Sequence, residues 1–290
     1  MAELSEQLTA KTGYISEVWR RLKRNRAAIV GGIVVLLFVF IALLAPLISP
    51  YPPDEGELSK RLQPPSQEHL LGTDPLGRDL LSRVIYGARI SLQIQVIAVS
   101  IALVIGTLLG MIGGYYGGKL DHLIMRFMDI LLAFPGIFLA ISIIAVLGPG
   151  LVNLMLAAGI YSIPQFARIV RGSVLSLKEK EFVEAARAVG ESDFNILFRY
   201  LLPNSMAPVI IQTTLRMATV LLTASGLSFL GLGVQPPTAE WGAMLSNARA
   251  YLITAPHVAT VPGLAIMLVV MGFNLFGDGL RDSLDPRLRD

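Results

Sequence analysis

The sequence predicts an all-α integral membrane protein with six transmembrane helices. Three observations carry that expectation. Hydrophobic residues make up 53% of the 290-residue chain and charged residues only 16%, against roughly 25% charged in ordinary globular proteins. At a mean hydropathy of +0.63, a soluble fold would have too few charges to cover its apolar surface. The apolar residues also gather in continuous runs, without the period-two alternation of barrel strands.

A span needs about 20 apolar residues to cross roughly 30 Å of hydrocarbon. The first is Ala27–Ile48. Arg20, Arg21, Lys23, Arg24 and Arg26 precede it and place the N-terminus in the cytoplasm by the positive-inside rule. A cleaved signal peptide would use the same arginines, but Pro46 directly follows the small residue Ala45, which would be the cut site, and blocks cleavage there, and the apolar run is too long. Residues 27–48 therefore form an uncleaved anchor behind a cytoplasmic tail, 1–26. The segment 49–89 is then extracytoplasmic, rich in proline and slightly more acidic than basic.

Residues 90–276 hold the other five spans. The second is Ile90–Ile112. Its Gly106 and Gly110 are either a small-xxx-small packing pair or simply glycines of the kind common in membrane helices. The third, Leu120–Leu147, is over-long, and Asp121, His122, Arg126 and Asp129 start it outside the lipid. The fourth, Leu151–Phe166, is short. The fifth is Met206–Leu232 and the sixth Val258–Phe276. The connection 168–205 falls inside, with Arg168, Arg171, Lys178, Lys180, Arg187 and Arg199. The segment 234–257 falls outside, with one basic residue, Arg249, and one acidic, Glu240. The tail 277–290 returns inside with Arg281, Arg287 and Arg289. Both termini are thus cytoplasmic.

Several function classes drop out. A net charge of +3 without an extended basic face gives no footprint for nucleic acid. There is no cysteine for a thiolate metal site or nucleophile. Residues 113–119 match G-x-x-x-x-G-K, but Leu120 stands where Ser or Thr must hold magnesium, and a membrane helix precedes instead of a strand. That stretch is expected to be a short flexible inner loop. His69, His122 and His257 lie too far apart for metal-ligand spacing, and no Ser, His and acid constellation is visible.

The inner connection is the informative stretch. Glu179–Val189 has the pattern of an amphipathic helix with Phe182, Val183, Ala186 and Val189 on its apolar side. Gly190 ends it at a turn that favours glycine. Asp193 or Ser192 caps a second helix, Phe194–Leu202, stopped by Pro203. Two short helices joined at a glycine make a knob at the cytoplasmic face; a pair resting on lipid headgroups would show the same pattern.

Glu184-Ala185-Ala186-x-x-x-Gly190, followed by Leu202-Pro203, resembles the EAA loop of the inner-membrane subunits of binding-protein-dependent ABC importers. One position departs, with Tyr200 where the family usually has Ile. Leu71–Asp79, Leu227–Gly242 and Gly277–Arg287 resemble the C-type permeases of dipeptide and oligopeptide importers. The likeness covers nearly the whole chain after about residue 20.

This resemblance implies a type I ABC importer permease with a cytoplasmic coupling-helix loop, multi-pass in a bacterial or archaeal cytoplasmic membrane. It implies a B-type permease as the other half of a heterodimer. Two cytoplasmic ATPase subunits would bind the ATP and Mg, none of it held by this chain, and an extracytoplasmic binding protein would deliver the solute. Glu184, Ala185, Ala186, Arg187, Gly190, Leu202 and Pro203 become the ATPase-coupling contact. Two other classes stay open beside it. A secondary transporter would need an inverted repeat, and none is visible; a membrane-embedded enzyme would need clustered catalytic groups. Dipeptides, oligopeptides, nickel chelates and peptide-like antibiotics all fit as cargo.

The fifth span also carries a polar stripe. Gln212, Arg216, Thr219, Thr223 and Gly226 fall within an arc of roughly 80° at about 100° per residue. Such a stripe is expected to line a water-filled pathway. Arg216, roughly 15 Å into the helix, needs a partner or water. Asp129 is the expected partner; snorkelling by Arg216, or a local pair of Asp129 with Arg126, are the alternatives. Leu227–Gly242 is expected to be a re-entrant or surface segment with Trp241 anchored at the membrane interface, and both it and 49–89 suit contact with a binding protein as well.

Overall fold

The computed structural model describes residues 17–284. The start of the expected tail, 1–16, and the end of the last motif, 285–290 with Arg287 and Arg289, lie outside the described residues. Helix α1, Arg26–Ile48, matches the first expected span and opens on Asn25, whose Oδ1 accepts from the Ala28 amide at 3.1 Å.

Helix α2 runs Leu80–Tyr116, 37 residues, and so begins well before the expected Ile90. Charge ends an apolar run but does not end a helix. Leu80, Ile85, Ala88 and Leu92 stay buried at helical spacing, and the intervening Arg83 is buried with its charge met by Asp74 at 3.4 Å. Asp79 caps the helix by accepting from the Ser82 amide at 2.7 Å.

The expected flexible loop near residues 113–119 is instead a tight corner. Only Gly117 separates α2 from α3, Gly118–Ala133, and the two glycines take φ of 64° and 55°. Neither would crowd a side chain, so the backbone angle alone asks for glycine there.

The third expected span is broken. Helix α3 meets α4, Gly136–Leu147, at 93° across Phe134 and Pro135. Pro135 has no amide hydrogen to continue the ladder, and its ring collides with a continuing helix. Helix α5, Leu151–Leu177, does not stop at Phe166. Hydropathy falls once Arg168 and Arg171 appear, yet Ala167, Val170 and Val174 remain buried on one face.

Helix α6, Glu181–Ala188, belongs to the inner connection. Helices α7, Met206–Phe229, α8, Trp241–Ala248, and α9, His257–Leu284, follow it. Among the described residues four helices, α1, α2, α7 and α9, are long and apolar enough to cross a membrane, and the bent pair α3–α4 makes a fifth crossing if it counts as one. The expected count of six rests on α5, whose 27 residues extend about 40 Å but carry Asn153, Arg168 and Arg171. It packs along α2 over the most extensive helix–helix contact among the described residues.

That seam decides between the two readings of the glycines. A Cβ on Gly106 would stand 2.6 Å from Phe166 Cβ, and one on Gly110 only 2.4 Å from the Ala167 carbonyl oxygen. They are a close-packing pair.

Residues 49–79 fold over the end of α2 with two isolated bridges, Gly56 to Arg78 and Thr73 to Asp79. Asp74 accepts from the Leu76 and Arg78 amides and pairs with the Arg78 guanidinium at 2.7 Å. Arg83 Nη1 donates to the Pro53 carbonyl at 2.6 Å and to that of Pro237 at 3.4 Å, tying this segment to the one before α8. The Leu71–Asp79 motif is therefore a structural clasp.

Trp241 is no interfacial anchor. It is 0% exposed, its indole nitrogen donates to the Val84 carbonyl at 3.0 Å, and Phe38 meets its ring edge-on. A large ring with one polar atom is buried at little cost when that atom finds an acceptor.

Candidate functional site

The connection 168–205 folds into a knob built from α6 and a second helical stretch across residues 193–204. Val183 and Ala186 point inward and share a core with Met111 of α2, Val170 and Val174 of α5, and Ile196, Leu197 and Leu201 of the second stretch. The knob is thus continuous with the ends of two long helices. The apolar side expected for α6 divides in two: Phe182 is 38% and Val189 80% exposed. Glu184, Ala185 and Arg187 are exposed with them, while Ala186 is buried.

The turn is specified in detail. Gly190 has φ of +83°; its amide donates to the Arg187 carbonyl, and the Glu191 amide donates to that of Ala186, each at 3.0 Å. This pair of bonds closes a helix through a left-handed residue, where glycine avoids the Cβ penalty. Ser192, rather than Asp193, caps the second stretch, accepting from the Asn195 amide at 3.3 Å. Asp193 is engaged elsewhere. Tyr115, at the end of α2, donates its hydroxyl to Asp193 at 2.6 Å, and the Arg187 guanidinium lies 5.4 Å from the centre of the Tyr115 ring.

The second stretch differs from the single helix expected over Phe194–Leu202. It consists of Asp193–Asn195, a wider π-type stretch Ile196–Leu201, and Leu202–Asn204. Pro203 does not stop it. The proline sits in the first turn of the last piece, where its missing amide costs no bond, and the chain passes through Ser205 into α7. Leu202 is half-buried and Pro203 exposed. Two residues beyond the sequence-based set face outward here: Phe194 and Phe198, with ring centres 4.6 Å apart and exposures of 68% and 39%. Their i, i+4 spacing was the available signal.

The polar stripe lies on α7 as expected. Gln212, Arg216, Thr219, Thr223 and Gly226 are all half-buried, whereas Ala218, Val220, Leu221 and Ala224 on the packed side are buried. No atom lies within 4 Å of where a Cβ on Gly226 would stand, so the stripe is open at that end. The expected Arg216–Asp129 pair is absent. Asp129 accepts from Arg168 of α5 at 2.6 Å, and both side chains are about half exposed. The local Arg126 alternative is not formed either. A second pair sits nearby: Arg171 grips Asp121 with two bonds of 2.6 Å each, the fork geometry that suits guanidinium and carboxylate. Helical extension of α5 past Phe166 is what brings both arginines to α3. Once the fourth span is ended at Phe166, neither pairing is legible.

The comparisons agree with this architecture. The family model described as binding-protein-dependent transport system inner membrane component matches residues 106–290, and that of the N-terminal TM domain of oligopeptide transport permease C matches residues 13–65. A dipeptide transport system permease protein of Alkalihalophilus pseudofirmus is 50% identical over 284 residues, covering 98% of this chain and 93% of the relative. A glutathione transport system permease protein of Pectobacterium atrosepticum is 48% identical over 274 residues, covering 94% and 91%. An inward-facing MetNI methionine ABC transporter structure superposes with a TM-score of 0.59 at 18% identity, over 71% of this chain and 98% of that one, and supports the fold. The chain belongs to the inner-membrane components of binding-protein-dependent transport systems, as a multi-pass permease subunit of an ABC importer and not its ATPase.

Proposed function

We propose that this permease is the C-type half of a heterodimer that imports small peptides of dipeptide to glutathione size. A B-type permease supplies the other half. Two cytoplasmic ATPases hold the ATP and Mg, and a binding protein docks on the extracytoplasmic clasp. Both termini of this chain are cytoplasmic. The observation that carries the reading is the knob's core, shared with the inner ends of α2 and α5. A push on Glu184, Ala185 or Arg187 passes through that core to α2 and α5, so ATPase closure becomes helix displacement. Relatives named for dipeptide and glutathione transport support the cargo class. In proteoliposomes holding this chain with a B-type permease, both ATPases and the binding protein, a labelled dipeptide or glutathione should enter only with ATP. If neither enters while a larger peptide or a metal chelate does, the cargo assignment fails.

The stripe on α7, with Asp129 and its partner Arg168 toward the cytoplasmic half, is the proposed lining of the pathway. Arg216, half-buried and without an ion pair among the described residues, is then hydrated rather than paired. The chain has no cysteine of its own, so single cysteines report cleanly. Thr219→Cys and Thr223→Cys should react with a water-soluble thiol reagent, and Leu221→Cys, at 1% exposure, should not. Leu222 is 53% exposed, so any protection of a cysteine there must come from lipid or the partner. In intact cells, Pro65→Cys should label from outside and Lys180→Cys only after permeabilisation. Equal labelling of positions 219 and 221 removes the stripe from the pathway, and outside labelling at 180 inverts the topology.

A further inference from the structure

The surface between α1 and α2 carries a feature that transport does not use. A groove of about 320 Å³ runs between them, walled by Val39 and Leu43 of α1 and Leu92 and Val96 of α2, with Arg89 and Gln93 on its rim. Leu43 is 72% and Val96 51% exposed, as expected of side chains that meet hydrocarbon. Arg89 and Gln93 are exposed too, one helical turn apart on the same face. Neither has a hydrogen bond or ion pair among the described residues, in contrast to Arg78, Arg83, Arg168 and Arg171.

Depth follows from the helices. The Tyr51 amide donates to Ser82 Oγ at 3.1 Å, which sets the end of α1 level with the start of α2. Arg89 lies seven residues below Ser82, about 10 Å; Leu43 lies five below Ile48, about 7.5 Å. A guanidinium rooted there on a lipid-facing helix reaches the headgroup layer by extending upward along its apolar stem. An unpaired cation at headgroup depth above an apolar channel fits one ligand class on both counts.

We propose that this groove holds an anionic glycerophospholipid of the leaflet opposite the N-terminus. Its phosphate rests on the Arg89 fork, its ester region on the Gln93 amide, and one acyl chain lies along Val39, Leu43, Leu92 and Val96. A planar guanidinium binds phosphate through two parallel N–H bonds, which a neutral residue cannot replace. Held this way, the lipid adds to the direct packing of Phe38 and Ala42 of α1 against Ala88 and Leu92 of α2.

The test uses the assembled transporter in its own membrane. A photoreactive benzoylphenylalanine substituted for Leu43 is activated, and the adduct is identified by mass spectrometry. The expected adduct is phosphatidylglycerol or cardiolipin, enriched several-fold over its share of the bulk lipid by the charged fork of Arg89. Arg89→Gln should abolish the enrichment and Arg89→Lys, a point charge without the fork, should keep only part of it. A peptide adduct from another subunit, an adduct matching the bulk lipid composition, or enrichment unchanged in Arg89→Gln would each overturn the proposal.

Discussion

Gly190→Val is expected to cut ATP-driven uptake on the order of tenfold or more while the subunit still inserts and assembles. The residue sits at φ of +83° between two turn-closing bonds, and a β-branched side chain there costs about 1–3 kcal/mol. Nothing lies within 4 Å of the Cβ position, so the substitution strains the backbone without touching a neighbour. The α2–α5 seam should therefore survive. A short helix held by one turn and a small core has little local stability to set against that strain. Gly190→Asn is the informative control, because asparagine tolerates left-handed backbone and should retain most uptake. Uptake measured with membrane levels of the subunit separates lost coupling from lost protein. Normal uptake in a Gly190→Val, Glu184→Lys double variant would sink the coupling assignment.

That turn is legible in the sequence because its chemistry is local. A glycine after an amphipathic run, followed by Ser192 and a second run, specifies helix, left-handed turn and cap with no tertiary information. The α7 stripe is legible for the same reason, since helical spacing alone gathers Gln212 to Gly226 on one side.

The features that escape the sequence depend on partners distant in the chain. Hydropathy ends the fourth span at Phe166 because Arg168 and Arg171 look like a membrane boundary, yet those charges are met by Asp129 and Asp121 of α3. Sequence spacing cannot show that a charge has a partner some 40 or 50 residues away. Depth alone matches Asp129 with Arg216, and the break at Pro135 changes what α3 faces. Residue type alone assigns Trp241 to the interface; its burial comes from Gly87 and Val84, which leave room and an acceptor.

Gly110→Leu is expected to be the most disruptive single change in the membrane region. Gly106, Gly110 and Gly114 recur every four residues along α2 and all face α5. At Gly110 a Cβ would stand 2.4 Å from the Ala167 carbonyl oxygen and 2.9 Å from Val170 Cβ; at Gly114 it would stand 2.9 Å from Val174 Cβ. The nearest of these atoms is backbone, which cannot rotate aside as a side-chain tip can. The helices must separate, and overpacking of this kind costs about 1–3 kcal/mol even where side chains can adjust. Between membrane helices the loss is direct, because close packing rather than a hydrophobic driving force holds them together. Gly172 in α5 supplies the control: nothing lies within 4 Å of its Cβ position, so Gly172→Leu should be neutral or slightly stabilising through helix propensity. Thermal denaturation of the detergent-solubilised protein should place Gly110→Leu well below the parent and Gly172→Leu near it. Equal melting of the two would mean that the α2 glycines are merely tolerated. The effect should also reach the knob, because Met111 of α2 and Val170 and Val174 of α5 are the floor on which Val183 and Ala186 rest. Prying the seam apart at Gly110 moves that floor, so a Gly110→Leu subunit that does reach the membrane should lose uptake even with an intact Gly190 turn.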